Sequence, residues 1–582
     1  MKTNKHLFGL QIFAITPLIL FLFLYTNHLW LVAILSLLLG YNISSFKQSG
    51  EFIKVPLVLI LTGSFLVYAL TGLGTKDNPQ TFKLLNHKDA FSTFHFKQTS
   101  PIDEVCYYMG IDKNVKFKLS AAKDKKWEEF YKYDKNFPFS YRWNCLDVNV
   151  TTHEVLFAIT QGEVMLNEIR FFYKKKLVEF TNKSKFLNDE PHTKMGTTFF
   201  EGMYFDEIYH GRTAFEILND MTIYETTHPY LGKILIGGGI ELFGMSPYGW
   251  RFMNVIFGAF FIFVAYYFAL LMFKEREFAF ASSFVMLYSF MHFTQARIAL
   301  IDTFGVLFVF ISYYFLYRFI VKQKLKWLLI SGIFFGLASG VKWSAVFASL
   351  GFLAIAIFLL VSKYPLEKRF AGYRLILYGL LSYAVIAIGV YFITFLEIYL
   401  KTGDWYKIIE YQINMYSYHS KLVGTHAYSS EWWSWLLDLK PMSYYRQIND
   451  GMFSSITCFG NPAIFWTGIV AVLYLLYVAI TKRVLEAVFI LLAFLGLYLP
   501  YIFISRMMFI YHFYYAVPFL ILAIIYMLRD LMVWSEKSVK IYILFLAVVA
   551  FLFLMFYPVL SGYTVPKTYV DTYLVWINGW WL

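Results

Sequence analysis

Residues 205–251 read FDEIYHGRTAFEILNDMTIYETTHPYLGKILIGGGIELFGMSPYGWR and open on two adjacent carboxylates, Asp206 and Glu207, ahead of an apolar run. A carboxylate at a bilayer boundary is costly to desolvate, so it persists there in water, in a pair, or in chemistry. The chemistry open to a positioned carboxylate is general acid–base work. Neighbours on a helix point about 100° apart, so the two carboxylates are not an equivalent pair. The plain alternative is a helix N-terminal charge favoured by the macrodipole. Downstream come cations: Arg297 in QARIALID, Lys342 in SGVKW, and Arg506 with His512 in SRMMFIYHF. A planar guanidinium can hold an anionic group at two oxygens. Against that stand an interfacial arginine that snorkels and, for Arg297, a salt bridge to Asp302. Lys342 follows Gly332, Gly336 and Gly340, a small-residue ladder that predicts close helix packing. In HPYLGK, Pro229 starts a short helix that holds His228 and Lys233 near the interface. Glu207 and His210 lack the first histidine of HExxH, so no zinc signature is present and no metal is expected.

These residues must be positioned by membrane helices. The 582 residues are 59% hydrophobic, 21% aromatic and only 15% charged, whereas charged residues make up about a quarter of soluble domains. The net charge of +13 does not point to nucleic acid, because the basic residues cluster in short loops between apolar runs. Those are Lys274 and Arg276; Lys322, Lys324 and Lys326; Lys363, Lys368 and Arg369; Lys482 and Arg483; Arg529, Lys537 and Lys540, the positive-inside pattern. Three runs, at 7–25, 29–44 and 55–73, open the chain; the first is expected to be a retained helix rather than a cleaved signal. Ten more follow residue 247, giving about thirteen spans. With Lys2, Lys5, Lys47 and Lys54 inside, residues 75 onward fall on the outer face, as do the turns holding Arg297, Lys342 and Arg506. The outer loop 397–461, with Trp432, Trp433 and Trp435, is expected to lie partly along the interface.

Between 75 and 195 the composition turns polar and strand-like. Val115, Phe117 and Leu119 alternate with Lys116, Lys118 and Ser120, and Val155, Phe157 and Ile159 recur at every second position. The segment order resembles a discoidin or galactose-binding-like β-sandwich, which implies either glycan binding or a rigid module packed on the membrane part. Cys106 and Cys145 both lie in this segment, so one disulfide is open to them outside the cytoplasm. The sequons at Asn149 and Asn182 decide nothing without knowing the source. The predicted organisation is therefore residues 1–74 as three helices, 75–195 as an extracytoplasmic β-sandwich, and 196–582 as a membrane catalytic region.

FDEIYHGRTAFEIL, THPYLGKILIGGGIELFGMSPYGWR, QARIALIDT, SGVKWSAVFASL, THAYSSEWWSW and SRMMFIYHFYYAVPFLILA occur in that order. Together they resemble the protein O-mannosyltransferase family and its bacterial relatives, within the glycosyltransferase C superfamily, over roughly residues 196–530. The N-terminal helix pair and the inserted β domain depart from that family, and the loop 397–461 is too short for a MIR domain. The resemblance implies a polytopic GT-C-like fold that transfers a sugar, mannose by analogy, from a polyprenyl-phosphate donor to an acceptor hydroxyl with inversion. The acceptor implied is a protein Ser or Thr, or a glycan, outside the cytoplasm of a bacterial or archaeal plasma membrane. No cofactor is implied. Asp206 matches the family's base, with Glu207 supporting it. Arg297 matches the arginine on the donor phosphate, and His228, Lys233, Lys342, Arg506 and His512 are expected around the donor. Two rivals are transfer to a lipid or glycan, as in aminoarabinose transferases, and a transporter or flippase. Transporters favour internal repeats and midplane charges, whereas the acidic pair is predicted in an outer loop.

Overall fold

The computed structural model describes residues 2–49, 55–86, 91–124, 126–134, 140–181, 193, 195–362, 364–422, 424–535 and 538–582; Lys54, Asn182, Lys363 and Lys537 lie outside them. The chain divides into two units. One comprises Met1–Gly72, Glu225–Leu235 and Phe252–Leu582, the other Leu73–Tyr224 and Ile236–Arg251.

The first unit is helical because its apolar runs must satisfy their backbone polar groups internally. Among the described residues eight helices are long and apolar enough to cross a membrane, including Asp302–Lys322, Trp343–Val361, Tyr373–Ile393 and Ser538–Ser561. Leu29–Ser45, Leu57–Leu70 and Leu325–Val341 are shorter apolar helices. The run at 278–294 is split into Arg276–Leu287 and Phe290–Gln295 at Ser289, whose side chain accepts from the His292 N–H. The run at 508–528 opens with a 3-10 turn, Ile510–Tyr515, before Val517–Trp534.

Asp302–Lys322 and Leu325–Val341 form a hairpin through Gln323, which takes a left-handed φ of +48° to end the first helix. Ser312 donates to the Ser331 carbonyl at 2.8 Å and Ser331 to the Ser312 carbonyl at 2.7 Å, pairing two buried hydroxyls. The glycine ladder works as its spacing predicts. A Cβ on Gly332 would meet the Ser382 carbonyl oxygen at 2.2 Å, and one on Gly336 the Ala387 carbonyl oxygen at 2.5 Å. The partner helix opens there into a π turn at Leu381–Ile386.

The loop 397–461 carries the amphipathic helix Tyr406–Lys421, the single turn Trp432–Trp435, and a hairpin of Met442–Asn449 with Met452–Cys458. Val565–Pro566 adds a third strand. Sequence reading anticipated the amphipathic part and missed the hairpin. Its signal is Asp450-Gly451, both at positive φ (+49° and +75°), the two-residue turn that matches strand twist.

The second unit holds a five-stranded antiparallel sheet dominated by two long strands, Phe91–Lys123 and Arg142–Tyr173. Different stretches of each strand pair with different stretches of the other. Val105 opposes both Leu146 and Phe171, while Phe117 opposes Ile159. The sheet therefore folds over one core, which buries Phe94, Tyr107, Phe117, Leu119, Phe157 and Phe171. The period-two residues of the sequence are thus the core-facing ones. Cys106 and Cys145 are cross-strand neighbours joined by a disulfide.

This unit reaches past the composition break at 195. Glu207–Leu218 is one of its helices. Arg212 on that helix donates to Glu216 and to the Asp112 carbonyl, both at 2.9 Å, tying it to the long strand. Tyr141 packs its ring edge-on against Phe215 and Trp250.

Candidate active site

In the second unit, Phe205 takes a φ of +50°, a conformation costly for a residue with a bulky side chain, and Asp206 follows as the N-cap of Glu207–Leu218. The Asp206 side chain makes no capping bond to its own helix, and the residue is half-buried. Glu207 is fully buried. Its Oε1 accepts from Arg251 Nε at 2.7 Å, and its Oε2 from Arg251 Nη2 at 2.7 Å and Trp250 Nε1 at 3.1 Å. Arg251 also donates to the carbonyls of Leu73 at 2.7 Å and Gly202 at 2.9 Å. Both Glu207 oxygens are thus engaged by Arg251 and Trp250, which fixes the first residue of the helix next to the turn at Asp206.

In the first unit, the residues expected around the donor separate into two groups. Arg297, expected on the donor phosphate, turns its guanidinium to backbone carbonyls. It is buried, with Nη1 donating to the carbonyls of Tyr68 at 3.1 Å and Thr71 at 2.8 Å, and Nη2 to that of Gly72 at 3.0 Å. These carbonyls terminate Leu57–Leu70, where a helix leaves acceptors without intrahelical donors and favours a cation. Lys233, also expected around the donor, is likewise turned to protein partners. Fully buried, it donates to the carbonyls of Glu225 at 2.8 Å and His228 at 2.9 Å, to Tyr411 Oη at 3.2 Å, and pairs with the Glu225 carboxylate. It therefore shapes the loop before Leu231–Phe243 from within.

His228, Lys342, Arg506 and His512 do come together, around a cavity of about 1050 Å³. Lys342 ends the glycine-ladder helix and pairs with Asp302 at 2.8 Å, the carboxylate that sequence reading had set against Arg297. Burial, opposed by Glu225, holds His228 below the usual histidine range. His512 Nδ1 lies 3.2 Å from the Phe509 N and 2.9 Å from the Phe509 carbonyl oxygen, and its ring stacks on Trp435. Arg506 lies 2.8 Å from His419 Nδ1. His419 itself escaped sequence reading because nothing in IEYQINMYSYHSK marks it. The cavity continues between Leu325–Val341, Trp343–Val361 and Tyr373–Ile393, past Phe335, Val346 and Ile388. Val346 and Ile388 are exposed apolar side chains at its margin. The arrangement suits a molecule with an anionic head and an apolar tail. For metals, the grouping of suitable ligands among the described residues is Glu104, Cys106 and Cys145, and its sulfurs are joined in the disulfide.

Comparison with known proteins agrees with this architecture. Residues 227–391 match the family model described as dolichyl-phosphate-mannose-protein mannosyltransferase. Residues 404–580 match that of the C-terminal four-transmembrane region of protein O-mannosyltransferase. The two stretches take in more than half of the chain; Asp206 lies upstream of both. The polyprenol-phosphate-mannose–protein mannosyltransferase of Corynebacterium glutamicum is 24% identical over 427 residues, covering 61% of this chain and 81% of that protein. Its counterpart from Mycobacterium tuberculosis is 22% identical over 478 residues, covering 68% and 89%. Among solved structures, the Saccharomyces cerevisiae protein O-mannosyltransferase Pmt1–Pmt2 complex bound to the sugar donor superposes with a TM-score of 0.55 at 14% identity. That match covers 62% of this chain and 86% of that one, and shows a shared fold. By these matches the chain, an integral membrane protein with an inserted β-sheet unit, belongs to the protein O-mannosyltransferase family.

Proposed function

We propose that this protein transfers mannose from a polyprenyl-phosphate donor to a Ser or Thr hydroxyl of a protein acceptor, with inversion, on the extracytoplasmic side of a prokaryotic plasma membrane. The observation that carries the reading is the cavity, cationic at Lys342 and Arg506 and apolar toward exposed helix faces, in a chain whose curated relatives are named for this donor.

Each step has a candidate residue. Asp206 takes the acceptor hydroxyl's proton as that oxygen attacks the anomeric carbon, a contribution of about two to four orders of magnitude. The bond from the anomeric carbon to the phosphate oxygen breaks, and its electron pair leaves with the lipid phosphate. Arg506 offsets the charge that phosphate gains, with the Lys342–Asp302 pair beside it, and loss of such a contact costs about 3 kcal/mol. His228 and His512 line the donor cavity, and Glu207 fixes the turn that presents Asp206. The exposed apolar side chains beside the cavity receive the polyprenyl chain.

The test is transfer by the purified full-length protein in detergent. Polyprenyl-phosphate mannose and a Ser/Thr-rich peptide are supplied, and the product is read by mass spectrometry. Hexose on a peptide hydroxyl, with the anomer opposite to that of the donor, is expected. Sugar on a lipid or glycan alone, or transbilayer movement of lipid without transfer, would reject the reading.

A further inference from the structure

His419, on Tyr406–Lys421, uses both ring nitrogens. Nε2 lies 2.7 Å from the Thr227 carbonyl oxygen, which only accepts, so Nε2 carries the hydrogen. Nδ1 lies 2.8 Å from Arg506 Nη1, and a guanidinium only donates, so Nδ1 is the acceptor. Together the two contacts select one neutral tautomer. Among the described residues Arg506 makes no ion pair with a carboxylate, whereas Lys342 is paired with Asp302 at 2.8 Å. A carboxylate beside Arg506 would neutralise it and compete with an anionic ligand. A neutral imidazole orients the guanidinium and leaves its charge available.

The ring is anchored in turn. Thr227 belongs to the loop whose carbonyls, at Glu225 and His228, are held by buried Lys233. A line of contacts therefore runs from Lys233 through the loop to Thr227, His419 and Arg506.

We propose that His419 is a positioning residue: as a neutral hydrogen-bond acceptor it aims Arg506 at the phosphate of the lipid donor, and protonation of its ring releases that hold. The proposal rests on the donor reading above. A protonated ring has two donors and no acceptor, so Nδ1 would then oppose the guanidinium with like charge. The groups facing His419 are His228, at 5.4 Å between ring centroids, Lys342, Arg506, and the Trp343 ring at 6.4 Å, with Tyr418 and Lys421 on its own helix. Burial first, then His228 and Arg506, push His419 down to about 4. The neutral tautomer is thus kept at neutral pH and lost as pH falls through that value.

The experiment measures two quantities on the full-length protein from pH 7 downward: affinity for undecaprenyl phosphate and KM for the mannosyl donor. His419→Phe keeps a ring and removes both nitrogens, while His419→Gln keeps one acceptor and one donor. His419→Phe is expected to weaken lipid-phosphate binding and raise donor KM about tenfold, as loss of a charge-assisted hydrogen bond would. His419→Gln is expected to stay within about threefold of wild type and to lose the acid limb of the binding curve that wild type shows. In an Arg506→Ala background, His419→Phe should add nothing. Unchanged binding by His419→Phe, or a full tenfold effect without Arg506, would overturn the proposal. If wild type binds undecaprenyl phosphate no better than a neutral polyprenol, the donor reading fails and takes this proposal with it.

Discussion

Arg297 commits its guanidinium to the carbonyls of Tyr68, Thr71 and Gly72, and Glu207 commits both carboxylate oxygens to Arg251. Position at a predicted helix end and family resemblance suggest phosphate contact for the first and support of the base for the second. The Arg297 partners lie more than 200 residues away, and Glu207 meets Arg251 from the far end of the same motif. Such separation also hid His419, whose value lies in touching Thr227 and Arg506 together. Asp206 and Glu207 differ in setting, the first a half-buried N-cap and the second fully buried against Arg251. At this scale Arg297→Gln is expected to leave donor KM within about twofold and to lower stability by about 2–4 kcal/mol, because buried carbonyls lose charged donors. Thermal melting alongside kinetics checks it. A tenfold rise in KM with unchanged melting would return Arg297 to the donor site.

Among the elements, helices were legible because long apolar runs admit few other structures in a bilayer. Gly332 and Gly336 were legible as contacts because their spacing puts them on one helix face, and the carbonyls of Ser382 and Ala387 sit against them. The strands were legible in period and not in extent. Phe91–Lys123 continues through Pro101 and Gly110, residues that usually end a strand, because its successive stretches change partners on Arg142–Tyr173. The Asp450-Gly451 hairpin was readable and was masked by the aromatic, amphipathic character of its surroundings. Gly336→Val is expected to separate Leu325–Val341 from Tyr373–Ile393 and to displace Lys342 at the end of the same helix. Melting should fall by several degrees and donor KM should rise, whereas Gly389→Ala, at a position where a Cβ meets nothing within 4 Å, should leave both unchanged. An inert Gly336→Val would show that the ladder does not position the donor cavity.

For the whole molecule, the proposed base and the proposed donor-binding groups belong to different units of the chain. Asp206 sits in the unit built around the long-stranded sheet, and Lys342, Arg506, His228 and His512 sit in the helical one. Composition placed the boundary near residue 195, where polar sequence gives way to motif. The fold places Glu207–Leu218 with the sheet, because Arg212 grips Asp112 and Glu207 grips Arg251. The unit that holds the long-stranded sheet therefore also holds the proposed base. The central claim is tested most directly by mannose transfer from polyprenyl-phosphate mannose by purified Asp206→Asn, with thermal melting and undecaprenyl-phosphate affinity measured on the same preparation. Glu207→Gln, which unbalances a buried ion pair, serves as the comparator expected to melt early. Asp206→Asn should melt and bind lipid phosphate like wild type while transfer falls by at least about a hundredfold; near-normal transfer by that variant would contradict the account.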